Sequence, residues 1–337
     1  LAFIDPDYEQ PSEWKYSLGA TYTMDNGLTL DGDIIYSRQN DPAYYEDVSQ
    51  TQIGTTAAGA PIFDFVAGSE NYMLTNANTY GDGLAVSLIA KQRYDWGLDW
   101  SLGYAYTDQT DVSPMTSSVA SSNFNNLALS SLVDPRAATS NYVSPHRFTA
   151  RISYAREFIP GHETRITAFM FSKEGQPQSH VMSSSDLEGD QRYGRHLLYV
   201  PSPNGDDNVV IQPGFDTAGW NTFLKTNGYE QYAGGFVPRN ARHTRWSNRM
   251  DLRIDQELPL FFGTQARAYL KIYNVLNMLN DSWGRQYDSY FYSQAVVTSS
   301  VDGDGRYVFE NFRNRGLTDL RENASLYEIR LGVQFEF

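Results

Sequence analysis

From Tyr327 to Phe337 apolar and polar residues alternate without a break. Tyr327, Ile329, Leu331, Val333, Phe335 and Phe337 fall on one face, and Glu328, Arg330, Gln334 and Glu336, with Gly332, fall on the other. Successive side chains of a strand point to opposite faces, so this segment reads as one strand between two different environments. Its length matches a tilted membrane crossing, which takes about 9–11 residues, whereas strands of soluble proteins run about 5–6.

The same period runs through Met250, Leu252, Ile254 and Leu258, set against a fully charged face of Arg249, Asp251, Arg253, Asp255 and Glu257. Weaker versions run through Trp14 to Tyr22, Leu28 to Tyr36, Leu84 to Leu88, Leu98 to Tyr106 and Phe148 to Tyr154, then near Ile166 to Phe171 and Ala266 to Tyr273. These make about nine long strands, and no helical period of useful length competes with them.

The connections alternate in length. Asp25-Asn26-Gly27, Asp95-Trp96-Gly97, Pro160 to Glu163 and Leu260 to Thr264 read as tight hairpin turns, with glycine where a positive φ is needed. The others run approximately over 40–82, 111–145, 175–246 and 277–325, far beyond the roughly 12–15 residues at which structureless loops become uncommon in compact domains. Short turns on one side and long loops on the other describe an outer-membrane barrel, with the turns periplasmic, the loops extracellular and the C-terminus periplasmic. The competing reading is a soluble antiparallel sheet with one wet and one packed face. It requires a second protein layer over Tyr327, Ile329, Leu331 and Val333.

Composition narrows the function classes. Hydrophobic residues make up 41% of the 337 residues, and no stretch approaches the roughly 20 apolar residues of a spanning helix. Aromatic residues reach 14%, with 24 tyrosines against 18 phenylalanines, which suits interfacial girdles. A net charge of −14 argues against a nucleic-acid partner. Cysteine is absent, which removes disulfide frameworks and thiol chemistry. The N-terminal LAFIDPDYEQ lacks the charged and apolar regions of an export signal.

A sheet in hydrocarbon must close on itself, because every backbone polar group there needs a partner within the protein. Nine is an odd count, and a first strand running inward needs a neighbour upstream. Residues 1–337 are therefore expected to be the C-terminal portion of one larger transmembrane antiparallel β-barrel, with the missing strands N-terminal to it.

Three stretches carry a family likeness: DPDYEQPSEWKYSLGATY at 5–22, RFTARISYAREFIPGHETRITAFMFSKEGQPQSH at 147–180, and NRMDLRIDQELPLFFGTQARAYLKIYNVLNMLNDSWG at 248–284. They resemble the C-terminal half of a TonB-dependent receptor barrel, in particular the Oar-like branch. Tyr273-Asn274-Val275-Leu276-Asn277 resembles the family's penultimate-strand pattern, and Phe337 its terminal aromatic residue. The resemblance implies a plugged barrel of about 22 strands, energised through the TonB complex, with the plug and TonB-box upstream and absent from this segment. It further implies that Tyr327, Leu331, Phe335 and Phe337 form the signal read by the barrel-assembly machinery. Phe337 reads equally as a girdle aromatic.

Charged residues on the polar face, Arg147, Arg151, Arg249, Asp251, Arg253, Asp255, Lys271 and Arg330, can line a substrate path. The better reading is that they pair across strands or against a plug. In the long loops Tyr193, Tyr199, Trp220, Tyr229, Tyr232, Trp283, Tyr287 and Tyr290, with Phe236 and Tyr292, offer contact area for a substrate or partner. Equally, loops of this length must bury some of it in folding on themselves.

Asp302-Gly303-Asp304-Gly305-Arg306 begins like a calcium loop, but Arg306 stands where the third ligand belongs, so a hairpin turn between Tyr290–Thr298 and Tyr307–Phe309 is expected. His146, His162, His180, His196 and His243 lack metal-site spacing and paired acidic neighbours, and read as surface residues. No catalytic constellation can be assigned from spacing, and the chain is read as a non-enzyme without metal or cofactor. The expected function is TonB-dependent active uptake of a bulky, scarce solute of the siderophore, glycan or peptide class. The rivals are a passive porin and a surface adhesin or secretion-related barrel. Expected partners are outer-membrane lipid and lipopolysaccharide, the missing plug and strands, the TonB complex and the barrel-assembly machinery.

Overall fold

The computed structural model describes residues 1–66, 70–183, 187–190, 194–261, 264–291, 293–313 and 319–336. The chain is all-β. Its frame is a single meander of long strands: β1 (Ser12–Thr23), β2 (Thr29–Asn40), β3 (Asp82–Arg93), β4 (Leu98–Asp111), β5 (His146–Ile159), β6 (His162–Lys173), β7 (Ser247–Phe261), β8 (Thr264–Tyr273) and β9 (Glu328–Glu336). Each pairs antiparallel with its neighbours in sequence, as the nine-strand reading expects. Among the described residues β1 and β9 each have one neighbour, and no sheet is closed into a barrel.

Register turns nine separate alternations into two continuous faces. Residues directly opposite share a face, and Ile34 lies opposite Val86, Met170 opposite Met250, and Leu270 opposite Leu331. Even-numbered residues from β1 to β8 and odd-numbered residues of β9 therefore build one apolar surface. No second layer covers it: Tyr16 is 62% exposed, Leu18 74% and Leu331 79%, with Tyr327, Ile329 and Val333 about half exposed. Among the described residues of this chain, nothing packs over Tyr327, Ile329, Leu331 and Val333 as the packed-sheet alternative requires.

This surface is graded. Near the ends that lead to the long connections, Tyr104 packs tilted against Phe148 with centroids 4.9 Å apart, and Trp246 covers Phe148 and His146 at 6.2 and 6.4 Å. Near the tight turns, Trp96 lies 5.6 Å from Tyr94 and 5.9 Å from Tyr154. Between the two bands stand aliphatic side chains such as Leu18, Ile34, Leu88, Leu102 and Leu331. His146 and Tyr154 are eight positions apart on β5, about 26 Å along a strand.

The opposite face carries the charge. Lys91 reaches Asp31 at 2.8 Å, Arg267 reaches Glu257 at 3.0 Å, and Arg151 bonds Asp99, all across strands. Arg249, Arg253 and Arg330 instead pair with Asp251, Asp255 and Glu328, two residues away on their own strands. Gly332, the one polar-face position of β9 without a side chain, is roofed by the Tyr269 ring, which an added Cβ would approach to 2.4 Å. Arg253 and Lys271 flank that ring, each 5.1 Å from its centroid.

The tight turns use Gly27, Gly97 and Gly161 at φ of 83°, 99° and 76°, conformations that cost other residues a Cβ clash. The long connections, 41–81, 112–145, 174–246 and 274–327, all leave from the other end of the sheet and fold together into a cap. Its largest sheet has the order His180–Ser183, Gln294–Val301, Tyr307–Phe312, Val209–Ile211, so that the third and fourth connections interleave through parallel pairs. The expected hairpin is present over Gln294–Val301 and Tyr307–Phe312. Asp302 there accepts from Arg306 Nε at 2.8 Å, so the arginine takes the place a cation would need. Residues Ala2–Ile4 run parallel to Tyr72–Asn76, which places the segment before β1 in the cap as well.

Candidate functional site

Among the described residues the cap has two large apolar cores and a small third one of Ala128, Val181 and Leu197. The first large core gathers Leu198, Tyr199, Trp220, Tyr229, Val297 and Phe309, and the second gathers Tyr44, Phe63, Tyr72, Phe124 and Leu127 over Val112. Helix Thr217–Asn227 delivers Trp220 and Phe223 to the first. Asp216 caps its start, accepting from Gly219 N at 2.9 Å, and Gly228 ends it at φ 68°.

The loop aromatics therefore divide. Tyr199, Trp220 and Tyr229 are buried core residues, each 3% exposed or less, and present no contact area in this structure. Tyr232, Tyr287 and Tyr290 are half-buried, and Trp283 is exposed. Tyr193 and Tyr292 lie outside the described residues, as does Phe337 of the terminal set. The other members of that set, Tyr327, Leu331 and Phe335, lie on the open apolar face.

Between the two cores sits a buried ionic cluster. His196 Nδ1 is 3.2 Å from Glu188 Oε2 and its Nε2 is 3.4 Å from Asp190 Oδ1, while Arg195 Nε is 3.8 Å from Asp190 Oδ2. Each connection contributes to it. Phe63 N donates to the Glu188 carbonyl at 2.8 Å, the Arg195 guanidinium stacks 4.4 Å from the Phe124 ring centroid, and the Tyr307 hydroxyl donates to Glu188 Oε1 at 3.0 Å. Burial alone would lower the His196 pKa, but the two carboxylates outweigh it and hold the imidazolium up to about 10.

His180 behaves in the opposite way. It is fully buried, and desolvation pushes its pKa down to about 4. Its Nδ1 and Nε2 contact Tyr229 Oη at 2.5 Å and Gln294 Oε1 at 3.2 Å, which suits a neutral ring that accepts on Nδ1 and donates from Nε2. The expectation that the histidines lie on the surface is thus corrected for His180 and His196. The acids beside His196 are six and eight residues before it, across residues 191–193, and no local spacing rule reaches that far.

Where the polar face meets the cap there is an open cleft of about 360 Å³, with Glu13, Gln39, Gln109 and Asp111 from strand ends and Tyr142 from the second connection. Tyr142 is exposed, and Asp111 is held by Arg239 at 2.6 Å. Amide, hydroxyl and carboxylate groups around an exposed aromatic ring suit a polar, hydrogen-bonding ligand. None of the loop aromatics singled out from the sequence lines this cleft. Its strand residues sit on the polar face, where the alternation alone locates them.

Among the described residues no three His, Asp or Glu side chains are arranged to hold a metal ion, and no helix is long and apolar enough to cross a membrane. No protein-family model matches the chain, and no curated protein matches it.

Proposed function

We propose that the nine-strand sheet is an arc of a transmembrane β-barrel in an outer membrane, and that the protein takes up a bulky solute with energy supplied through TonB. The observation that carries the membrane reading is the unbroken apolar face between two aromatic bands, with the sheet's ion pairs on the other side. Lipid solvates the first and a wet interior the second. Between Leu30, Leu88, Leu102 and Met170 the apolar face is dished into a groove of about 550 Å³, a shape that acyl chains fill.

In that setting the free edges of β1 and β9 must be paired by further strands, since unpaired backbone groups are costly in hydrocarbon. The direction of transport into the cell rests on the resemblance to TonB-dependent receptors. The knitted cap supports a restricted mouth in preference to a passive pore, because its loops share cores and do not hang free.

Two measurements test this. The full-length protein is expected to fractionate with outer membranes and to resist alkaline extraction. Loss of the protein and loss of the TonB complex are expected to produce the same nutrient defect, and a defect that persists unchanged when TonB function is supplied or withdrawn sinks the transport reading.

A further inference from the structure

The open cleft where the polar face meets the cap restricts what it can hold. Among the described residues no Leu, Ile, Val or Met side chain lines it, and no cation does. Its acids are already answered: Lys15 lies 2.9 Å from Glu13, Arg239 holds Asp111 at 2.6 Å, and Asp82 accepts from the Tyr36 hydroxyl at 2.8 Å. Two primary amides are left uncommitted. Gln39 from β2 and Gln109 from β4 line the cleft, and neither side-chain amide is bonded to a described residue.

The strand between them keeps that space clear. Register sets Gly83 of β3 between Ser37 and Gln109, and Gly81, two positions earlier, lines the cleft. A Cβ added at Gly81 would come within 3.1 Å of Gln39 Oε1 and 2.5 Å of the Thr110 carbonyl, so the Gln39 amide oxygen faces the room that the glycine leaves. At the rim Tyr142 is 71% exposed, yet its backbone is fixed. Its N–H donates to Ser140 Oγ at 3.4 Å, Ser144 Oγ donates to the Glu174 carbonyl at 2.9 Å, and Asn240 Nδ2 donates to Asn141 Oδ1 at 2.6 Å. The cleft thus offers two free amides over a backbone floor and an aromatic ring on a rigid turn.

We infer that this cleft binds a neutral oligosaccharide, with hydroxyls on Gln39 and Gln109 and a sugar ring against Tyr142. An amide presents an acceptor and a donor side by side, which matches neighbouring hydroxyls that each donate and accept. The electron-rich face of the tyrosine suits the polarised C–H face of a sugar. A charged ligand would lose solvation without meeting a free counter-charge, and a peptide would find no apolar pockets for its side chains. The inference names a solute class for the uptake proposed above and rests on that reading for its purpose.

The test is binding of maltohexaose, cellohexaose, laminarihexaose and xylohexaose to the purified full-length protein in detergent, read by ligand-observed NMR. Hexagalacturonate and an uncharged glycine–serine hexapeptide with blocked ends serve as the acidic and peptide counterparts. Saturable binding of at least one neutral sugar is expected, with both counterparts at least about tenfold weaker. Tyr142→Ala, an exposed change that leaves the cap protease-resistant, should weaken it about tenfold, and Tyr142→Phe should retain it. Gln39→Ala and Gln109→Ala should each weaken it about fivefold. No saturable binding of any neutral sugar, equal binding of either counterpart, or binding unchanged in Tyr142→Ala and both glutamine variants overturns the assignment. Absence of binding by a protein that fractionates with outer membranes sinks the ligand alone; binding by one that does not fractionate there upholds the ligand and sinks the uptake alone.

Discussion

The sheet and the cap use the same side chains to opposite ends. Tyr16 on β1 is 62% exposed and Tyr199 in the cap 1%; Leu331 is 79% exposed while Leu198 is fully buried. In the cap, apolar residues converge on shared cores and charges are sealed inside as neutralising clusters, the arrangement of a domain folded in water. In the sheet, apolar residues diverge onto one open face and charges gather on the other. The contrast teaches that one chain uses two opposite distributions of apolar and charged side chains, as the proposed membrane setting requires, and that they change over where the strands enter the long connections.

The largest effects are expected from substitutions that should damage one region and spare the other. Trp220→Ala removes a side chain packed on Phe215, Phe309 and Phe312 and should cost the cap about 3–5 kcal/mol. Hydrogen exchange should quicken across 180–236 and stay slow in β1 to β9. Leu331→Arg should cost about 2–4 kcal/mol if the central apolar band lies in lipid, and next to nothing if it lies in water. Urea titration in bilayers against a water-soluble control domain reads the difference.

A smaller effect is expected at the seam. Asn274 closes β8 at φ 54° and donates from Nδ2 to the carbonyls of Gly284 at 2.9 Å and Ser325 at 2.7 Å, so it ties together both ends of the fourth connection. Its backbone N–H also donates to Asp251 at 2.8 Å. Asn274→Ala should loosen 274–327 by about 1–3 kcal/mol, seen as new cleavage sites in limited proteolysis confined to that connection.

The cap should also respond to pH through its two buried histidines. His196 is held charged, with a folded pKa of about 10 against 6.5 unfolded, so its contribution is complete below about 6.5 and is lost as pH rises toward 10. His180 is held neutral at about 4, so its contribution is complete above about 6.5 and is lost as pH falls toward 4. Cap melting is expected to peak near pH 6.5. His196→Gln should flatten the alkaline limb and leave the acid limb, and a symmetric loss of both limbs contradicts the assignment. At the bottom of the scale, Glu328→Gln breaks an exposed pair with Arg330 and should leave unfolding unchanged within error.

How legible this was follows from the range of each interaction. The nine strands, the tight turns and the two faces are written in a period of two and in glycine positions, both local signals. The Asp302 turn was legible for the same reason. The cap was not. Its sheet joins His180 to Gln294 and Val209 to Tyr307, and pairings between separate loops leave no period in either. Tyr199, Trp220 and Tyr229 stood out as aromatic, but an aromatic-rich loop reads alike whether its rings face a ligand or each other. Glu188, Asp190 and Arg239 gave no signal, because the acids meet His196 only across residues 191–193 and Glu188 and Arg239 also bond Tyr307 and Asp111, more than a hundred residues away.

The account rests on the alternation of surroundings along each strand, and the chain's lack of cysteine permits a direct reading. Single spin labels placed at Leu18, Ile34, Leu102 and Leu331, and at their polar-face neighbours Thr21, Ser87, Ser101 and Gln334, can be measured in the full-length protein in bilayers for collision with oxygen and with a water-soluble nickel complex. Oxygen-rich, nickel-poor signals at the first four and the reverse at the second four are the predicted result. Equal nickel access at both sets places the apolar face in water and contradicts the account.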